Sequence, residues 1–165
     1  MHLSKSLLFI PLLFLIACSA AYDEVKEINI YSPITFQEHL LYNYKQKASF
    51  EAEEMHDWNS AKLYSEKALN ALDGKTIKPQ KIEYWKLPAS KSKKLTKSYN
   101  DLMTVYDEAK VIDPYNLAVA ISSLDCWAEQ QEENWQTNHI QKCKNYFRLQ
   151  RWLDTKDKIK KIFFN

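Results

Sequence analysis

Apolar side chains recur every three or four residues along most of the chain after residue 33, which is the spacing of one face of an α-helix. In the first such stretch, which follows Ser32-Pro33, the recurring positions are Phe36, Leu40, Leu41, Tyr44, Ala48, Ala52 and Met55. Asp57, a residue type that caps helix N-termini, precedes a second stretch. Its expected buried positions are Trp58, Ala61, Tyr64, Ala68 and Leu72. Gly74 stands where a helix is expected to end in a left-handed turn.

Two further helices and a closing helix are predicted by the same pattern. The connector from Lys75 to Ser90 contains the pair Tyr84-Trp85, which we expect to fold back onto the bundle. The third helix has its apolar face at Leu95, Leu102, Val105, Tyr106 and Ala109. Asp113-Pro114 fits an N-cap followed by proline at the first helical position of helix four. The closing helix begins near Thr137 or Asn138 and carries Ile140, Cys143 and Phe147, and a last stripe is formed by Ile159, Ile162 and Phe163.

The first hairpin carries a recognisable repeat pattern. From Ala52 to Leu72 the chain has an aspartate and an aromatic residue, then Ala61, Tyr64 and Lys67-Ala68-Leu69. This segment resembles the second half of a tetratricopeptide repeat, and a plain helical hairpin is the alternative. The predicted fold class is all-α, with two stacked hairpins, tetratricopeptide-like, and a closing helix stapled by a disulfide.

The N-terminus has the features of a signal segment. Lys5 supplies a positive charge, and the apolar run from Leu7 to Ile16 is too short to span a bilayer. The run ends in Leu15-Ile16-Ala17-Cys18, which resembles a bacterial lipobox. The resemblance implies that Cys18 is diacylated. A serine directly after the cysteine, Ser19, is similar to the pattern of lipoproteins that are sent to the outer membrane. The alternatives are an ordinary signal peptide cut near Ala20 or Ala21, or an uncleaved anchor.

This interpretation sets the expected domain boundaries and location. Residues 1–17 are the signal peptide, residues 18–33 are the lipidated N-terminus and a tether, and residues 34–165 are one helical domain. The protein is then expected on the periplasmic face of the outer membrane, held there by its lipid.

With Cys18 used for lipid, Cys126 and Cys143 are the remaining cysteines. They stand on two helices joined by a short turn, and an oxidising compartment favours a disulfide between them. The alternative is a metal site formed by Cys126, His139 and Cys143, but a fourth ligand is missing from that series. We therefore expect a disulfide and no metal.

Composition excludes several function classes. A net charge of +2 is too close to neutral to indicate a nucleic-acid partner. One glycine in 165 residues excludes a Gly-rich phosphate loop. Glu53 and His56 form a single Glu-x-x-His pair, whereas di-iron bundles need two. No nucleophile stands in a recognisable motif, so we expect neither an enzyme nor a cofactor.

A longer run carries a more specific resemblance. The residues are Asp57-Trp58, Lys67-Ala68, Leu87-Pro88 and, above all, the run from Asp125-Cys126-Trp127 to Asn134, followed by Ile140 and Cys143. Between about residues 36 and 147 the chain resembles the N-terminal region of alphaproteobacterial OmpA-family outer-membrane lipoproteins. The resemblance implies an envelope location and a helical fold. The chain ends at Asn165, so we expect it to lack that family's C-terminal peptidoglycan-binding domain.

Two binding functions follow as hypotheses. The first is a non-catalytic structural or protein-interaction module of the envelope, whose partner-binding candidates are Trp127, Glu129, Gln130, Glu133 and Asn134. These polar groups can point outward to a partner, or inward to form a hydrogen-bonded network. The second is a module that binds peptidoglycan, another anionic polymer or acidic lipid headgroups through Lys91, Lys93, Lys94 and Lys97. A solvated helix face is the alternative explanation of those lysines.

Overall fold

A computed structural model describes residues 20–134 and 137–148, and this part of the chain is helical without β-strands. Residues 20–27 form α1. The remaining elements are α2 (Phe36–Ser49), a π-helical turn (Phe50–Met55), α3 (Trp58–Leu72), a 3-10 turn (Ile82–Tyr84), α4 (Ala89–Met103), α5 (Tyr106–Ile112), α6 (Pro114–Glu133) and α7 (Thr137–Arg148). No helix within these two ranges has the length and apolar content needed to cross a membrane. The all-α class is confirmed.

The first hairpin forms as its caps predict. Thr35 and Glu38 form a capping box at the start of α2, in which each side chain accepts a hydrogen bond from the other's backbone N–H. Asp57 caps α3 by accepting from the N–H groups of Asn59 and Ser60. Gly74 has a φ of 73°, as expected for a left-handed stop. The two helices pack side by side, with the rings of Tyr44 and Tyr64 stacked 6.0 Å apart.

Helix α6 is the central element of the second half. Asp113 caps it and Pro114 occupies its first turn, as predicted. Every residue from Leu117 to Gln131 is buried, because α6 packs against α2 on one side and α7 on another. The predicted third helix is interrupted after Met103, and α5 continues from Tyr106. Both α4 and α5 then pack on α6.

The disulfide between Cys126 and Cys143 is confirmed, and its two Cα atoms are 5.7 Å apart. It joins the C-terminal half of α6 to the middle of α7. Phe147, one turn further along α7, lies with its ring centroid 5.8 Å from that of Trp127. The closing helix is therefore held on α6 by a covalent bond and by aromatic packing.

The segment expected to be a tether differs from that expectation. Residues 20–27 are helical, and Tyr22 and Val25 are buried in the core. The Tyr22 hydroxyl donates a 2.6 Å hydrogen bond to Glu53, and its ring contacts Trp58 edge-on. The segment places only two side chains in the core, Tyr22 and Val25, which are one helical turn apart. Two positions are too few to produce a helical period in the sequence, so the helix was not predicted. Its burial comes from the surface that the first hairpin offers it.

Three side chains that were expected to be buried are exposed, and two further predictions concern residues that the structure does not describe. Trp58 and Leu72 were expected in the core but are 40% and 55% exposed, since they stand at the two ends of α3. Of the pair Tyr84-Trp85, Trp85 folds onto the bundle and Tyr84 is exposed. The predicted lipidation site, Cys18, and the predicted stripe of Ile159, Ile162 and Phe163 lie outside the described residues.

Candidate functional site

The first polar group in the bundle is centred on Asp125, and we call it the Asp125 network. One carboxylate oxygen of Asp125 accepts from the Tyr44 hydroxyl at 2.7 Å and from the Lys67 amine at 2.5 Å. The other accepts from the backbone N–H of Gln80 at 2.6 Å. The Lys67 amine also donates to the Lys78 carbonyl. The network thus joins α2, α3, α6 and the connector, and its negative charge is matched by a positive one.

A second polar group, the acidic cluster, consists of Glu51, Asp57, Glu129 and Glu133. One oxygen from each of Asp57, Glu129 and Glu133 lies within 4.8 Å of the other two. Glu51 is 1% exposed and Glu129 is 2% exposed. One oxygen of each of these two carboxyls has no hydrogen-bond partner within the described part of the chain. The cluster therefore brings four carboxyl groups together, and two of them, Glu51 and Glu129, are shielded from water.

Burial and mutual repulsion shift the acidity of these groups. Burial, followed by the charges of Glu129 and Glu133, raises the pKa of Glu51 to about 9. Burial also raises the pKa of Glu129 to about 7, although a hydrogen bond from Gln130 acts in the opposite direction. Gln130 orients two members of the cluster by donating to Glu129 at 2.9 Å and to Glu133 at 3.2 Å.

Local backbone geometry brings the cluster together. The π-helical turn adds a residue to the end of α2, and Glu51 lies in this turn with its side chain in the interior. His56 then adopts a left-handed conformation with φ 55°, so the chain reverses and Asp57 caps α3. Glu129 and Glu133 lie one turn apart at the end of α6, before Asn134 ends that helix with φ 57°. π-turns of this kind occur often at functional sites.

Beside the cluster, a cleft of about 420 Å³ opens between α2, α6 and α7. Its aromatic lining is Phe50, Tyr115, Tyr146 and His139, and its polar lining includes Asn43, Gln46, Lys47, Glu51, Ser123 and Lys142. The disulfided Cys126 and Cys143 form part of its wall. Clefts of this size that combine aromatic and a few polar groups are typical of binding sites.

Two cleft residues have acidities that differ from their usual ranges. Burial lowers the pKa of Lys47 to about 8, against the opposing effect of the Asp125, Glu129 and Glu51 charges. Burial, with the nearby positive charges of Lys47 and Lys142, lowers the pKa of His139 to about 4. His139 is therefore a neutral imidazole at pH 7, and its ring contacts Phe50 edge-on at 4.2 Å.

The five partner-binding candidates are divided by the fold. Trp127, Glu129 and Gln130 are buried, Glu133 is half-buried, and Asn134 is exposed. The run therefore adopts the inward arrangement, with a hydrogen-bonded network, rather than an outward-facing surface. Within this run, a partner could contact Asn134 without moving the bundle, whereas Gln130 is fully enclosed.

The four candidate lysines of α4 also separate. Lys91 and Lys94 line a groove of about 250 Å³ between α4, α6 and α7, together with Trp127, Asn134, Gln141 and Lys144. The Lys94 amine lies 5.9 Å above the Trp127 ring. Lys93 is exposed on the same helix, and Lys97 is paired with Asp101 at 2.6 Å. We call the groove that Lys91 and Lys94 line the lysine groove.

The two metal motifs weighed from the sequence have other arrangements here. The sulfur atoms of Cys126 and Cys143 are bonded to each other in the disulfide. The Nε2 atom of His139 is 3.9 Å from the sulfur of Cys126. A disulfide sulfur is not the thiolate that zinc needs. Glu53 accepts from Tyr22, and the Nδ1 atom of His56 faces the Ala52 carbonyl. These two side chains do not form a shared site.

Sequence reasoning missed Glu51, Lys47, Tyr115 and Tyr146. Glu51 follows Tyr44 by seven residues on the apolar stripe of the first helix, and that spacing was a usable signal of burial. The cleft residues come from three separate helices, and no spacing within one helix brings them together.

Comparison with known proteins gives no relative: no protein-family model matches the chain, and neither a curated protein nor a solved structure matches it.

Proposed function

We propose that the protein is a lipid-anchored, non-catalytic interaction module of a bacterial envelope, and that the cleft between α2, α6 and α7 binds its protein partner. The observation that carries the proposal is the lining of this cleft. Tyr115 and Tyr146 are both partly exposed at the cleft and offer rigid aromatic surface, and Lys142 adds a charge. Tyrosines in such positions are frequent anchors of protein interfaces.

The envelope location in this proposal rests on the sequence. The lipobox-like end of the leader and the run from Asp125 to Asn134 support a relation to the N-terminal region of OmpA-family lipoproteins. Anchoring of the intact chain is tested by palmitate labelling and membrane fractionation. Label and membrane retention are expected in the natural chain and absent in Cys18→Ala; a natural chain without label would contradict the anchor.

The cleft itself is tested by affinity purification from detergent-solubilised envelopes. We expect Tyr146→Ala combined with Lys142→Glu to abolish recovery of a partner that the natural protein retains. Tyr84→Ala is the matched control, because Tyr84 is an exposed tyrosine that does not line the cleft. Equal recovery with the cleft variant, or no reproducible envelope partner, would contradict this function.

The lysine groove supports a second candidate, the binding of peptidoglycan or another anionic polymer. Lys91 and Lys94 line it, and amide side chains at its edge can bind sugar hydroxyls. We expect salt-sensitive retention on purified murein sacculi, lost in Lys91→Glu with Lys94→Glu. Lys93→Glu is the control, because it makes one of the same charge changes outside the groove. No retention of the natural protein at low salt would remove this candidate.

A further inference from the structure

Three members of the acidic cluster, Asp57, Glu129 and Glu133, have the spacing of ligands around one cation. Their nearest oxygens lie within 4.8 Å of one another. Calcium binds oxygen at about 2.3–2.6 Å, so two ligands on opposite sides of a Ca²⁺ ion stand about 4.6–5.2 Å apart and neighbouring ligands are closer. Magnesium, at about 2.0–2.1 Å, requires a tighter set. Three oxygens that lie no more than 4.8 Å apart therefore fit around a Ca²⁺ ion.

Unpartnered buried oxygens give independent support for a ligand. Glu51 is not one of these three, yet its carboxyl is buried with one oxygen that has no hydrogen-bond partner in the described residues. The charges of Glu129, Glu133 and Asp57 all raise its pKa, so it lies near them. Glu129 also has one such oxygen. A buried acceptor without a donor is costly, and a cation satisfies it.

Glu51 and Glu129 form no ion pair with a lysine in the described ranges. Lys47 is close enough to influence Glu51 and Glu129, but its amine forms no ion pair with either one there. The Asp57 carboxylate accepts from two backbone N–H groups through one oxygen, which leaves its second oxygen for a ligand. Gln130 holds Glu129 and Glu133 in place.

From this geometry we propose that Asp57, Glu129 and Glu133 bind a divalent cation of the size of Ca²⁺, with the buried carboxyl of Glu51 nearby. All donors are oxygens, which is the ligand set of a hard cation rather than of zinc or copper. The bound ion joins the N-terminus of α3, the C-terminus of α6 and the π-helical turn. It therefore fixes three separate segments beside the cleft.

The test uses the protein after treatment with a chelator and removal of that chelator. Ca²⁺ and Mg²⁺ are titrated at constant ionic strength while the Tm and the heat of binding are measured. We expect Ca²⁺ to raise the Tm saturably, with a dissociation constant on the order of 10⁻⁴–10⁻³ M as in extracellular calcium modules, and with weaker binding of Mg²⁺. No saturable response to either ion would overturn the proposal.

Two variants identify the site. Asp57→Asn keeps a helix-capping side chain and Glu129→Gln keeps the shape, while each removes one charge. Each is expected to weaken Ca²⁺ binding at least tenfold. Glu54→Gln, an exposed glutamate of the same segment, is expected to bind as the natural chain does. Unchanged Ca²⁺ affinity in Asp57→Asn would overturn the site even if the Glu129 variant did not fold, as judged by circular dichroism.

Discussion

The Asp125 network and the acidic cluster lie in one helical bundle, and both are built from buried charged side chains. In the network, Asp125 is matched by Lys67 and each of its oxygens accepts a hydrogen bond. In the cluster, several carboxylates face one another and two buried oxygens lack donors in the described chain. The first arrangement is self-sufficient and holds helices together. The second is stable only at an energetic cost, and such sites are frequently functional.

The largest effect is expected from breaking the charge balance of the network. Lys67→Met leaves Asp125 as an unpaired buried charge and should lower the free energy of unfolding by about 3–5 kcal/mol. Urea denaturation measures this. Adding Asp125→Asn removes the orphaned charge while keeping an acceptor for Gln80, so the double variant should be more stable than Lys67→Met alone. A loss below about 0.5 kcal/mol in the single variant would place Asp125 in a wetter environment than the structure gives it.

The α7 side of the bundle depends on a covalent bond where the α2–α3 side has the network. Cys126→Ala with Cys143→Ala opens a cross-link between residues 17 apart and should lower the free energy of unfolding by about 3 kcal/mol. The loss follows from the greater conformational freedom of the unfolded chain. Denaturation of the natural protein with and without reductant provides the comparison. An unchanged Tm on reduction is the result that contradicts this role.

Removing one charge from the acidic cluster should have the opposite sign. In cation-free buffer at pH 8, Glu129→Gln removes a charge that is costly to bury and that Glu133 and Asp57 repel, so it should raise the free energy of unfolding by about 1–3 kcal/mol. Denaturation against Glu54→Gln as control measures the difference. Destabilisation by Glu129→Gln instead would mean that the cluster is as well compensated as the network, and the contrast between them would disappear.

His139 gives the bundle a pH dependence that must be separated from that of the cluster. Its pKa is lowered from 6.5 to about 4 in the folded protein, so the unfolded chain binds the proton first as the pH falls. Its contribution to stability is therefore complete above pH 6.5 and is lost as the pH falls toward 4. The free energy of unfolding of His139→Gln, relative to that of the natural protein, should therefore be higher at pH 4.5 than at pH 7. We expect a difference of about 1 kcal/mol, because the side chain is partly exposed. Parallel stability curves for the two proteins would contradict the lowered pKa.

The smallest effect concerns an exposed counterpart of the buried pair. Lys97 and Asp101 form an ion pair on the surface of α4, with side chains 77% and 47% exposed. Lys97→Ala should change the free energy of unfolding by less than about 0.5 kcal/mol, because water and salt screen such a pair. A loss as large as that of Lys67→Met would show that burial does not account for the strength of the network.

The candidate site was predictable only in part. Asp57 was identified as a cap, and Glu129 and Glu133 were singled out as partner-binding candidates, because both assignments depend on residues close together in sequence. Their meeting was not predictable, since Asp57 and Glu129 belong to different helices. The burial of Glu51 was signalled by its place seven residues after Tyr44, but the π-helical turn that contains it was not.

The sequence by itself determined most of the helices, most of their caps and the disulfide. Helical period, Asp57, Gly74 and Asp113-Pro114 act within a few residues, and the two remaining cysteines allowed one pairing. Only the tertiary structure decided that α1 is docked, that Trp58 lies at the surface, and that Glu51 lies near Glu129. Each of these depends on which surface another segment provides. A chain sets its own period locally, whereas the partner of each face is chosen by the packing of the whole bundle.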